Sequence, residues 1–93
     1  MSNSYETTII YSLANGEEAA KALSAKFQEM MEKNGTVDSV DEWGKRRLAY
    51  LINDEEDGYY VLYNHTCEAG FPAELERVLG ITDGVLRSMV IKK

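Results

Sequence analysis

Residues 5–12, Tyr5-Glu6-Thr7-Thr8-Ile9-Ile10-Tyr11-Ser12, are rich in β-branched and aromatic side chains and predict a first strand. Alternation puts Tyr5, Thr7, Ile9 and Tyr11 on one face and Glu6, Thr8, Ile10 and Ser12 on the other. The period then changes. Ala20, Leu23, Phe27, Met30 and Met31 recur at helical spacing, a packing stripe rather than a cofactor pocket. Asn15 is placed to cap this helix, with Glu18 completing a capping box, and Glu17/Lys21 and Glu29/Lys33 support its outer side. Asn34-Gly35 predicts a stop through a left-handed residue.

Thr36 to Ile52 reads as a long extended segment, and Gly44 within it predicts a bulge or bend. Asn53-Asp54-Glu55-Glu56-Asp57-Gly58 predicts a solvated acidic turn without the alternating ligands of a calcium loop. Tyr59 to Glu68 is the next strand, so the two strands form a hairpin. Phe71 to Gly80 predicts a short helix, with Pro72 in its first turn and Leu75, Val78 and Leu79 on its apolar side. Asp83-Gly84 turns the chain into a last strand, Val85 to Ile91. The order βαββαβ predicts an α+β, ferredoxin-like split βαβ fold. Its four-stranded antiparallel sheet has the order 4-1-3-2, with both helices on one face. In the third strand Val61, Tyr63 and Cys67 turn toward the helices, leaving Tyr60, Leu62 and Asn64 on the open face. Tyr60, Leu62 and Ile10 then form an exposed apolar patch that calls for a partner.

Length adds one constraint: 93 residues make a single domain, 1–93, with a two-layer core. Cys67 is the only cysteine, so no internal disulfide forms and a reducing compartment is expected. The polar start and the lack of an apolar run near ~18 residues predict no signal peptide and no membrane span, hence a cytoplasmic protein.

Charge changes the picture more. The net charge is −6, yet residues 45–53 carry Lys45, Arg46 and Arg47 without an acid. Residues 84–93 carry Arg87, Lys92 and Lys93, again without an acid, so the rest of the chain holds −12. Lys45 and Arg47 share one side of their strand and Arg46 points the other way. Such charges protect a sheet edge from aggregation, or meet an anionic partner. On an acidic protein the footprint is local. It predicts weak nucleic-acid binding alone, or binding shared with a more basic partner.

Catalytic chemistry finds little support. His65 is the only histidine, and Cys67, two residues along the same strand, lies about 6–7 Å away, too far for a direct hydrogen bond. No zinc spacing, phosphate-binding glycine loop or Ser/His/Asp set occurs, so no catalytic residue, metal or cofactor is expected. Small phosphatases of this topology cradle phosphate with an arginine near the first strand, but no arginine precedes Arg46 here. RNA-binding modules that stack bases on strands one and three share the topology too. Gly58-Tyr59-Tyr60-Val61-Leu62-Tyr63 is only loosely similar to their motif, because Asp57 stands where a cation belongs.

Gly44-Lys45-Arg46-Arg47-Leu48-Ala49-Tyr50-Leu51-Ile52 resembles the strand-two signature of the bacterial ribosomal small-subunit protein six family. Tyr5-Glu6, Asp57-Gly58-Tyr59-Tyr60, Leu79-Gly80-Ile81-Thr82 and Val85-Leu86-Arg87 extend the resemblance over nearly the whole chain. The resemblance implies a non-enzymatic component of the small ribosomal subunit. It implies binding to the central domain of small-subunit ribosomal RNA as a heterodimer with ribosomal protein eighteen, with neither DNA nor a membrane as partner. Carried onto this chain, RNA contacts fall on Lys45, Arg46, Arg47 and Arg87, with Lys92 and Tyr5. Trp43, Tyr60 and Leu62 are the candidates for the protein partner. His65 stands where the family leads one to expect an apolar residue, and burying it neutral requires a hydrogen-bond partner. Two other readings remain open: a stand-alone single-strand RNA-binding module, which needs exposed aromatics on strands one and three, and a regulatory domain that dimerises through its sheet and binds a small molecule.

Overall fold

The elements follow in the order β1 (Ser2–Ser12), α1 (Glu17–Lys33), β2 (Gly35–Ile52), β3 (Glu55–Glu68), α2 (Phe71–Ile81) and β4 (Val85–Lys92) in a computed structural model that describes residues 2–52 and 55–93. The sheet order is β2-β3-β1-β4 with every neighbouring pair antiparallel, the split βαβ arrangement predicted above. β1 and β3 form its centre and pair without interruption from Ser2↔Glu68 to Ser12↔Gly58.

Both helices cover one face of this sheet. Tyr5, Ile9 and Tyr11 of β1 and Tyr59, Val61, Tyr63 and Cys67 of β3 pack beneath Ala20, Phe27 and Met31 of α1 and Phe71, Leu75 and Leu79 of α2. The alternation expected for both strands therefore holds. Burial of these side chains is the main stabilising term. Polar groups in the core are tied together. The Tyr63 hydroxyl lies 2.7 Å from both the Tyr11 hydroxyl and Ser24 Oγ, and donates to the Ser24 carbonyl at 3.3 Å. Burial pushes the Tyr11 hydroxyl well above the usual tyrosine range and raises that of Tyr63, so both stay protonated and able to donate.

The element ends differ from expectation in instructive ways. Gly16, not Asn15, occupies the N-cap of α1, with φ 92° and no side-chain capping bond. At its other end no left-handed residue appears. Asn34 sits at φ −112°, and its side-chain amide donates to the Met30 carbonyl at 2.9 Å. Gly35 then starts β2 directly. A β-carbon on Gly35 would lie 2.0 Å from the Thr66 carbonyl oxygen, so this glycine is required by close strand approach. α2 runs through Gly80 to Ile81, and Thr82 ends it by donating its hydroxyl to the Val78 carbonyl.

The acidic turn is also shorter than expected. Glu55, Glu56, Asp57 and Gly58 belong to β3, while Asn53 and Asp54 lie outside the described residues. Glu55 is not a solvated tip residue: its carboxylate accepts hydrogen bonds from Ser12 and from the Leu13 amide.

Candidate functional site

The cationic end of the open face is shaped by an extra residue in β2. β2 pairs Glu42 with Val61 and Gly44 with Tyr60, leaving Trp43 unpaired between them. Gly44 has φ 77°, and a β-carbon there would meet nothing within 4 Å. Backbone conformation rather than space therefore demands glycine. Beyond this bulge the parity of the strand is reversed. Lys45 pairs with Tyr59 on the helix side, and Arg46 pairs with Gly58 on the open side. The bulge thus aims Arg46 at the open face beside Trp43, whose ring stacks on Tyr60 with centroids 6.3 Å apart and planes 11° apart. Trp43, Arg46 and Tyr60 line one shallow recess.

Arg87 completes the same face from the opposite edge. It pairs with Ile10, which pairs with Tyr60, so Gly44, Tyr60, Ile10 and Arg87 form one row across four strands. Three interstrand steps put the two cationic edges about 14 Å apart. Lys45 and Arg47 turn to the other side of β2, where Lys45 meets Asp57 at 3.7 Å. Lys45 is largely exposed and Asp57 partly so, and such a pair contributes little. Among the described residues no carboxylate pairs with Arg46 or Arg47.

Two of the sequence candidates lie apart from this row. Lys92 pairs with Tyr5, on the helix-side parity of β4 and about 17 Å along the strands from Arg87. Arg87 and Lys92 therefore lie on opposite faces of β4 and far apart along it. Tyr5 itself is 7% exposed, with its ring stacked on His65 at 6.0 Å, so its ring packs with the core.

The apolar patch is also redrawn. Ile10 is buried, because it and Leu48 converge over Gly58, where a β-carbon would lie 2.5 Å from Ile10 and 3.4 Å from Leu48. Tyr60 and Leu62 remain partly accessible. On this face the exposed large apolar residues among those described are Trp43 at 48%, Met89 at 54% and Ile91 at 48%. Met89 pairs with Thr8, which pairs with Leu62, so the patch reaches from β2 to β4. The signal for Met89 and Ile91 was present in the sequence: they share parity with Arg87. The far end of this face is polar, with Asn64 donating to Ser39 and Thr66 donating to Asp38, each at 3.0 Å.

The base-stacking alternative loses its platform. On β1 the open face carries Glu6, Thr8, Ile10 and Ser12, while Tyr11, Tyr59 and Tyr63 lie under the helices. His65 and Cys67 are buried as well. His65 Nε2 lies 2.7 Å from Thr7 Oγ1, which supplies the partner that a neutral core histidine requires, and Phe71 packs edge-on against the ring. Burial depresses the His65 pKa and raises that of the Cys67 thiol. Among the described residues no group of three or more His, Cys, Asp or Glu side chains is placed to hold a metal ion. Among the described residues no helix is long and apolar enough to cross a membrane.

An acidic split βαβ domain that presents arginines and stacked aromatics on its uncovered sheet is arranged for binding. A family model described as Ribosomal protein S6 matches residues 4–92. The small ribosomal subunit protein bS6 of Clostridium perfringens strain 13 is 50% identical over 90 residues, covering 96% of this chain and 95% of its own. That of Clostridium novyi strain NT is 51% identical over 88 residues, covering 94% and 93%. The crystal structure of 30S ribosomal protein S6 from Thermotoga maritima shares the fold, with a TM-score of 0.92 at 24% identity over 100% of this chain and 89% of that one. The chain belongs to the bacterial ribosomal protein S6 family. It is a structural, non-enzymatic component of the small subunit of the cytoplasmic ribosome.

Proposed function

We propose that this protein binds the central domain of small-subunit ribosomal RNA cooperatively with ribosomal protein eighteen. One observation carries the reading: the bulge at Trp43-Gly44 turns Arg46 onto the open face beside Trp43 and Tyr60, with Arg87 at the other end of that row. Lys45, Arg46, Arg47 and Arg87 contact phosphate, with Lys92 as an outlying contact. Trp43, Tyr60 and Leu62 form the seat for the protein partner, which their accessibility on an otherwise filled sheet supports. The net charge of −6 explains the need for that partner. Phosphate contacts confined to a few cations give weak binding unless a basic partner shares the footprint.

The test is a gel-shift titration of the central-domain RNA with and without ribosomal protein eighteen. Tight, salt-sensitive binding is expected only with both proteins present. Replacing Arg46 and Arg47 by alanine should weaken binding and reduce the slope of log K against log salt by roughly two at most. An unchanged slope removes these arginines from the RNA site. Trp43→Ala should instead weaken capture of protein eighteen and leave the salt slope of the residual complex near its original value. Self-association through the sheet without RNA, in preference to the heterodimer, would favour the regulatory-domain reading.

A further inference from the structure

The hairpin that carries the cations overhangs the rest of the sheet. β1 ends at Ser12, which pairs with Gly58, and β4 reaches only to Val85 opposite Tyr11. Residues 55–57 of β3 therefore have β2 as their single neighbouring strand, and the β2–β3 register is irregular between Arg47 and Ile52. A two-stranded ribbon is marginal in water without further support. On the open face the support is Leu48, buried with Ile10 over Gly58.

Beyond the end of β1 it is a carboxylate. Glu55 Oε1 and Oε2 lie 2.8 and 2.9 Å from Ser12 Oγ, which shares its single proton between them, and Oε1 also accepts the Leu13 amide at 3.2 Å. Ser12 Oγ in turn accepts the Ala14 amide at 3.1 Å. One charged acceptor thus ties the first residue of β3 to the connection between β1 and α1. Hydrogen bonds to an ionised acceptor are the strong class. Leu13, which this carboxylate holds, lines a recess together with Glu17, Lys45 and Asp57. The tie and the first cation of the hairpin share one pocket wall.

We infer that Glu55 is a positioning residue, whose carboxylate clamps the turn end of the β2–β3 hairpin to Ser12 and Leu13 and so holds Lys45, Arg46 and Arg47 in register for their ligand. The clamp stands on geometry alone; its effect on RNA rests on the interface proposed above. Electrostatics separates this role from that of an ordinary surface acid. Removing a negative charge beside an RNA site strengthens binding when nothing else changes. A positioning role predicts the opposite sign.

In the full-length protein, Glu55→Ala should accelerate amide exchange at Leu13, Ala14 and residues 45–48 and 55–58 by about tenfold, with Ile9 and Tyr63 little altered. It should also weaken binding to the central-domain RNA with protein eighteen, despite the gain of one positive unit. Ser12→Ala should act in the same direction without changing charge, and Glu55→Gln should restore part of the protection. Unchanged hairpin exchange in Glu55→Ala overturns the clamp. Faster exchange with RNA binding equal or tighter, while Arg46→Ala/Arg47→Ala binds poorly, overturns the positioning role. If the arginine variant binds normally too, the interface reading fails instead, and faster exchange still supports the clamp.

Discussion

Gly35→Ala is expected to destabilise the fold by about 3 kcal/mol. The new β-carbon would fall 2.0 Å from the Thr66 carbonyl oxygen and 3.0 Å from Cys67 Cα. Both are backbone atoms of the strand paired with β2, so no rotamer change relieves the clash. Relief requires the start of β2 to move away from β3. That breaks the ladder at Gly35↔Cys67 and pulls on the Asn34 cap of α1. Gly80→Ala is the control. Nothing lies within 4 Å of its added carbon, and the residue is inside α2 without a positive φ. Alanine there should stabilise by roughly 0.5–1 kcal/mol through helix propensity. Urea unfolding measures both. A wild-type midpoint for Gly35→Ala would show that the strands have room the structure denies them.

Acid is expected to weaken the protein through His65. The ring is 1% exposed, and Nδ1 has no partner in its buried setting. Burial lowers its pKa; Lys93 adds slightly to that, and Asp38 opposes it. The unfolded chain therefore takes up a proton at a higher pH than the folded one. The stability contributed by keeping His65 neutral is fully present above the unfolded value of about 6.5. It declines as the pH falls below that value toward the depressed folded pKa. His65→Leu should flatten this decline between pH 7.5 and 5. At neutral pH the pair with Thr7 sets the cost of each change. Thr7→Val leaves both ring nitrogens unpaired, and His65→Leu leaves the Thr7 hydroxyl unpaired; each costs about 1–3 kcal/mol. The double variant removes both polar groups and should be more stable than their summed effects predict. Strict additivity in urea unfolding, or a pH slope that survives His65→Leu, would count against the account.

The candidate site was legible in part. Lys45-Arg46-Arg47 and the glycine before them stand out in the sequence, and Gly44 alone predicts the bulge. Which face each cation takes follows from the position of the unpaired residue, and pairing Trp43 out of the ladder places Arg46 outward. For Tyr5, parity assigns a face but not its depth. It lies on the helix side, where His65 and the core cover it. The spacing of Arg87 and Lys92 follows from the same alternation. Five residues of strand separate them along the sheet, and they alternate to opposite faces. Glu55 was hidden because its partners, Ser12 and Leu13, lie more than forty residues away and carry no signature of their own.

The sequence by itself determined the order of elements, the sheet topology and the two faces of its central strands. These follow from local periodicity, turn residues and the burial of one apolar face, all written along the chain. Only the tertiary structure decided where each element stops, which polar groups become partners and which surface residues stay accessible. Those outcomes depend on contacts between distant segments: Gly35 against Thr66, Thr7 with His65, Glu55 with Ser12, and Leu48 with Ile10 over Gly58. A strand's pattern states what it needs to bury, while the neighbours that packing brings to it determine what is left for a ligand.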